Sequence, residues 1–300
     1  MSLVNSALSA ILPLFPRWMS KPFAKPYVAG ETIDEAILHI KTLNEKGFAV
    51  TTDILGEHVK TQDEAEHVTH SYIDLLHAIK AQNLDGHISI KPTHLGIDVS
   101  YDVVRDNLFR LLEAAKTTGS FVRIDMENSP YTDASIKLYL EAKLRFENVG
   151  PVIQAYLHRS PDDISRLNNG KLNVRICKGI YRETEAVAYQ DSQTIQNQFV
   201  ELVKEVFKGG GYPAIATHDI FIIDEIEDWI EQNQISNDRF EFQVLYGVPM
   251  SGKLTALLNK GFKVRQYVPF GNDWFDYSIR RLKENPKIIT YVFKNMFKKD

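Results

Sequence analysis

Phe121-Val-Arg-Ile-Asp-Met126, an amphipathic run from Tyr131 to Phe146, and Pro151-Val-Ile-Gln-Ala-Tyr156 follow one another in one stretch whose order decides the fold. The outer segments are short, apolar and rich in β-branched residues, whereas the middle one repeats its apolar positions at helical spacing. Strand, helix, strand is the reading, and the same unit recurs on both sides. Further strands are expected at Gly47 to Thr52, His87 to Lys91, Asn173 to Cys177, Ala214 to Thr217, Phe240 to Leu245 and Lys263 to Val268. Helical patterns such as Gln62 to Gln82, Ser192 to Phe207, Phe221 to Gln232 and Ser251 to Asn259 lie between them. Strict alternation of this kind predicts an α/β protein, a (β/α)8 barrel of the TIM type rather than an open doubly wound sheet.

The 300 residues show no linker or shift in composition, so one barrel domain is expected over residues 32–300, preceded by an N-terminal helical extension at 1–31. A net charge of -4 without a basic, aromatic-studded stripe argues against a nucleic-acid partner. Cys177 is the single cysteine, which excludes an internal disulfide framework and fits a reducing, cytoplasmic setting. No apolar run reaches the roughly 18 residues of a membrane span. The first thirty residues contain no acid and combine Leu3, Val4, Ala7, Leu8, Ile11 and Leu12 with Arg17, Lys21 and Lys25. A transit peptide and a membrane-surface helix share that composition, but Pro13, Pro16, Pro22 and Pro26 interrupt the pattern, and a helix packed on the domain's own surface is preferred. The tail from Lys287 carries Lys294, Lys298 and Lys299 beside Ile288, Tyr291, Phe293 and Phe297. It reads either as a last helix on the barrel or as a basic amphipathic end making peripheral contact with anionic membrane.

In a barrel, polar residues at the C-terminal strand ends face the active site. That rule selects Asp53, Lys91, Asp125, Glu127, Gln154, Arg175, Lys178, Thr217, His218, Gln243 and Tyr267, and it assigns Gly209-Gly210-Gly211, which precede a strand, to the opposite rim. Lys91 is either a Schiff-base lysine or a cation paired with Asp125, with pairing preferred. His218 is open to a general-base, metal-ligand or hydrogen-bonding role; with no second ligand at metal spacing on the strand ends, no metal is expected. His67, His70 and His77 share a face of an exterior helix and read as solvated. Gly247-Val-Pro-Met-Ser-Gly252-Lys253-Leu254 nearly matches a phosphate loop, but Leu254 replaces the magnesium-binding hydroxyl and Pro249 lacks an N–H. No GxGxxG follows a strand, so a dinucleotide is not held in the Rossmann manner.

Tyr277-Ser-Ile-Arg280-Arg281-Leu-Lys-Glu284 places a phenol, two guanidiniums and a carboxylate at helical spacing on one face. Adjacent cations held by Glu284 can grip a small carboxylate with bidentate, charge-assisted bonds. Taken alone, the segment would also pass for a solvated face with ordinary ion pairs.

Together with Ser89-Ile-Lys91, Arg123-Ile-Asp125-Met-Glu127, Val174-Arg175-Ile-Cys-Lys178-Gly179-Ile-Tyr181, Ala216-Thr217-His218-Asp219, Phe240-Glu-Phe-Gln243-Val-Leu245-Tyr-Gly247 and Tyr267-Val-Pro-Phe-Gly271, this segment resembles the proline dehydrogenase family in the family's own motif order. The resemblance spans roughly residues 45–290, in the short monofunctional bacterial form. It implies a distorted barrel with FAD at its mouth, oxidation of L-proline to Δ1-pyrroline-5-carboxylate by hydride transfer from C5 to flavin N5, and a quinone as electron acceptor. By the same resemblance Arg280, Arg281 and Lys91 hold the substrate carboxylate, Asp125 belongs to that polar network, and Tyr181, Leu245, Tyr267 and Tyr277 wall the ring. Gln154, Arg175, Lys178, Gly179, Thr217, His218 and Gln243 fall on the flavin, with Arg175 stabilising charge on its reduced form. Tyr267 favours unsubstituted proline over hydroxyproline. Two positions depart from the pattern: Ile180 stands where the family has alanine and Asp219 where it has asparagine. A flavin-free lyase barrel using Lys91 or Lys178 as a Schiff base on a carboxylate substrate is the alternative, and a non-catalytic membrane-associated module the third.

Overall fold

The computed structural model describes residues 26–275 and 277–279. Arg280, Arg281, Glu284, the basic tail and most of the N-terminal extension lie outside the described residues.

Eight parallel strands close on themselves in sequence order: β1 Ala49–Ile54, β2 Gly86–Ile90, β3 Val122–Ile124, β4 Val149–Gln154, β5 Asn173–Cys177, β6 Tyr212–Ala216, β7 Glu241–Leu245 and β8 Val264–Phe270. Every expected strand is present. The ends differ: β1 runs on to include Asp53 inside the strand, and β3 stops at Ile124. The seam pairs the first strand with the last over six residues, from Ala49 opposite Arg265 to Ile54 opposite Phe270.

The helices are α1 Ile33–Glu45, α2 Gln62–Ala81, α3 Tyr101–Thr118, α4 Thr132–Lys143, α5 Ser160–Leu167, α6 Ser192–Lys208, α7 Ile220–Gln232 and α8 Lys253–Asn259. Their starts are chemically specified. Thr32 with Glu35 and Thr61 with Glu64 form reciprocal capping boxes, and Ser100, Asp191 and Asp219 accept from the first turns of α3, α6 and α7. Gly119 ends α3 in the left-handed conformation, which costs a Cβ-free residue little. α3 buries Val104, Leu108, Leu111, Leu112 and Ala115 on one stripe, yet the sequence reading did not single it out. None of the described helices is long and apolar enough to cross a membrane.

The described end of the N-terminal extension is not helical. Residues 27–30 run beside the end of β8: Ala29 N donates to Pro269 O at 2.9 Å and Gly271 N to Gly30 O at 3.0 Å. Gly247 explains itself here, because a Cβ on it would sit 1.8 Å from the Pro26 carbonyl. Its glycine serves close packing in a segment that only superficially resembled a phosphate loop.

The apolar core lies between strands and helices, with Ile88, Ile90, Val122, Val174, Ile176 and Ile215 facing Leu75, Leu108, Leu111, Val203 and Ile223 among others. Inside the barrel the filling is polar on five of the eight strands, with Val152 and Ala216 among the apolar exceptions. Thr51 and Asp53, Ser89 and Lys91, Arg123 and Asp125, Glu241 and Gln243, Arg265 and Tyr267 repeat at i and i+2, the spacing that sends side chains to the same side of a strand.

Candidate active site

The C-terminal mouth of the barrel holds a cavity of about 870 Å3, the size range of small-molecule and cofactor sites. Ten of the eleven strand-end residues selected from the sequence line it; Thr217 is the exception. Thr217 is buried, and its hydroxyl accepts from the backbone N–H of Asp219 at 3.1 Å. Gly179, Tyr181, Leu245 and Tyr277 also form the wall.

Asp53 anchors one side. Its Oδ1 accepts from the Tyr72 hydroxyl at 2.8 Å, and its Oδ2 accepts from Lys91 Nζ and from the Tyr267 hydroxyl at 2.8 Å. The expected pairing of Lys91 with Asp125 is therefore corrected: the lysine bonds to Asp53, on the strand adjacent to its own. Burial alone would push the Lys91 ammonium down, but Asp53 and Asp125 outweigh it and raise its pKa above the ordinary lysine value. The lysine is held as a cation, which works against its use as a Schiff-base nucleophile.

Arg175 anchors the other side and spans the barrel. Its Nη1 donates to Asp125 at 2.6 Å, Nη2 to Ser89 at 2.9 Å, and Nε to the Gln243 carbonyl at 2.6 Å. Its guanidinium carbon also lies 5.3 Å from the Tyr267 ring centroid, within cation–π range. The Tyr267 hydroxyl stands between two carboxylates, 2.8 Å from Asp53 and 3.2 Å from Asp125. A phenol has one proton, so the nearer aspartate receives it. Burial raises the Asp125 pKa, Arg175 and Lys91 pull against it, and the charge on Asp53 adds to the rise. Tyr267 itself is driven well above its ordinary value by burial and by both aspartates, which keeps it a donor.

The remaining wall has bonding capacity in reserve. Gln154 donates from Nε2 to the Met126 carbonyl at 3.2 Å, while its buried Oε1 has no hydrogen-bond partner among the described residues. An orphaned acceptor at a cavity wall costs stability until something donates to it. Gly179, at φ +106°, leaves no room for a side chain: a Cβ would stand 2.2 Å from the Tyr156 ring. Lys178 pairs with Asp219 at 2.5 Å. His218 accepts at Nε2 from Leu245 N–H at 2.9 Å, which settles it as the Nδ1-protonated tautomer. Glu127 takes two bonds from Thr93, at 2.9 Å from N and 2.5 Å from Oγ1.

Glu57, Cys177, Ile180 and Arg182 line the cavity without having been singled out as site residues. Glu57 was within reach of the strand-end rule, because it follows β1 by only a few residues. Ser89 was findable from its i, i+2 relation to Lys91.

The family model for proline dehydrogenase matches residues 36–291. Proline dehydrogenase 1 of Bacillus subtilis subsp. natto is 37% identical over 276 residues, covering 92% of this chain and 91% of its own. Proline dehydrogenase 2 of Bacillus subtilis strain 168 is 35% identical over 282 residues, covering 94% and 93%. Among solved structures, proline utilization A from Bdellovibrio bacteriovorus, inactivated by N-propargylglycine, superimposes with a TM-score of 0.82 at 24% identity over 88% of this chain and 32% of that one. With the closed eight-strand barrel and the charged mouth already described, these matches place the chain in the proline dehydrogenase family.

Proposed function

We propose that the cavity binds FAD and L-proline together and that the enzyme oxidises proline to Δ1-pyrroline-5-carboxylate, with a quinone as the final electron acceptor. The observation that carries the reading is the cavity wall itself: a fixed cation, Lys91, and the Arg175–Asp125 pair share it with Gln154, whose buried carbonyl lacks a donor among the described residues. The residues present fit the cofactor. Gln154 has an acceptor to offer a ring N–H, Gly179 supplies a bare backbone, and Arg175, Lys178, His218 and Gln243 supply polar edges, with Thr217 just behind them. When bound, FAD supplies a hydride acceptor.

The chain's own residues bind and orient. Lys91, positioned by Asp53, attracts the substrate carboxylate, joined in this reading by Arg280 and Arg281 held by Glu284. Tyr181, Leu245, Tyr267 and Tyr277 exclude water around the ring. The ring nitrogen must be neutral for its lone pair to assist as hydride leaves C5, so turnover is expected to rise with pH. Arg175 places its fixed positive charge where negative charge develops. The lyase alternative needs a neutral lysine, and the ion pairs at Lys91 and Lys178 both oppose that. Basic terminal segments would suit peripheral contact with an anionic membrane, where a quinone resides.

The test is an anaerobic absorbance spectrum before and after L-proline. Flavin bands that bleach with proline but not with hydroxyproline support the reading. A colourless protein that cannot be reconstituted with FAD overturns it.

A further inference from the structure

We propose that Asp219 is a positioning residue that holds Lys178 in a charge-neutral pair at the cavity wall and thereby sets how much positive charge the site presents to its bound cofactor. The inference rests on the FAD reading above and goes beyond it, because Asp219 does not itself line the cavity whereas Lys178 does.

The carboxylate is fixed by several parts of the chain. Its Oδ2 accepts from Lys178 Nζ, just past β5, at 2.5 Å and from Gln196 Nε2, on α6, at 2.6 Å. Its Oδ1 accepts from Phe221 N at 3.1 Å, capping α7, and its own N–H donates to Thr217 Oγ1 at 3.1 Å. Both oxygens are committed, so the group cannot turn away and the ammonium is drawn toward it. The cap does not require a charge: asparagine and aspartate cap helices about equally well. What the carboxylate adds is cancellation of the lysine's charge. Burial works to raise the Asp219 carboxyl, but the Lys178 and Gln196 bonds outweigh it and hold it below the ordinary aspartate value. The carboxyl is ionised at neutral pH.

FAD carries a pyrophosphate and gains negative charge on reduction, so both its affinity and its potential register the net charge nearby. Asp219→Asn keeps one oxygen to cap α7 but puts an amide NH2 where Lys178 and Gln196 donate, so the lysine loses its acceptor and its charge is left uncancelled. The expected result is FAD bound about fivefold more tightly at low salt, with the gain shrinking as salt rises, and a bound-flavin midpoint potential shifted in the positive direction. In a Lys178→Met background the same substitution should move neither quantity, since the effect acts through the lysine. Thermal unfolding of Asp219→Asn close to wild type verifies that the cap is intact.

FAD affinity and potential unchanged in Asp219→Asn overturn the proposal. So does an equal change in the Lys178→Met background, which would make Asp219 act directly. A wild-type protein that takes up no FAD overturns the cofactor reading, and this proposal with it, before any variant is compared.

Discussion

Two buried charge clusters fill one barrel. Near the N-terminal strand ends, Arg265 donates from Nε to Glu241 Oε1 at 2.9 Å and from Nη1 to the Val50 carbonyl at 2.7 Å. Arg265 is 0% exposed, and neither residue reaches the cavity. At the C-terminal ends, Asp53 and Arg175 are buried and Lys91 and Asp125 part-buried, and all four border the cavity. Gln243 joins the clusters, giving Nε2 to Glu241 at 2.5 Å and receiving Arg175 at its carbonyl at 2.6 Å. With a donor on one side and an acceptor on the other, its amide has one orientation that satisfies both. Buried ion pairs are thus no mark of a site on their own. What separates the clusters is access to a cavity.

Substitutions should divide along that line. The largest effect is expected from Glu241→Gln, which leaves the buried Arg265 with only the longer 3.4 Å pair to Asp85: a loss of about 3–5 kcal/mol in denaturant unfolding, with kcat/KM of the folded protein within roughly threefold of wild type. Activity lost at unchanged stability would break the division. The same residue predicts a pH dependence. Burial raises the Glu241 carboxyl, yet Arg265 and its bonds pull it far below the ordinary 4.5. Its stabilising contribution is present above that value and is lost as pH falls below it. Wild-type stability should therefore drop below about pH 4.5 more steeply than that of Glu241→Gln.

Arg175→Met comes next, because it removes a member of the mouth that also touches Gln243. A fall of about 10²–10³ in kcat is expected, equivalent to roughly 2.7–4 kcal/mol, with some loss of stability from Asp125. Lys91→Met should act on the substrate side, raising KM for proline by about 10- to 100-fold, in line with roughly 1.5–3 kcal/mol for a charge-assisted bond, with a smaller change in kcat. Equal effects on KM and kcat would show that Lys91 does more than hold the ground state. The baseline is Ser100→Ala at the cap of α3: about 1 kcal/mol in unfolding and no change in kinetics.

Much of the mouth was legible in the sequence because barrel topology turns strand ends into a location. Lys91, Asp125, Arg175, Gln154, Gln243 and Tyr267 were found that way and do share one cavity. Partnership was harder. Lys91 was given to Asp125, because the identity of its nearest acid depends on strand register and on how far β1 extends, and β1 proves to reach past Asp53. The lower cluster went unread as a cluster, though its i, i+2 polar repeat was visible in Glu241 with Gln243 and Arg265 with Tyr267. The observed β3 is shorter than the expected Phe121 to Met126, since the alternation of apolar and polar residues continues through Met126 after pairing with β4 has ended.

The seam between β1 and β8 has a consequence in time. These strands pair across the longest separation in the sheet, Thr51 with Tyr267, so β1 keeps one unpaired edge until β8 has left the ribosome. Closing so long a loop makes that contact entropically late. The bond from Tyr267 to Asp53 crosses the same seam, and Asp53 in turn holds Lys91. Nascent chains that stop before β8 therefore lack Tyr267 and its bond to Asp53, and the wall of the cavity is incomplete until the barrel is sealed.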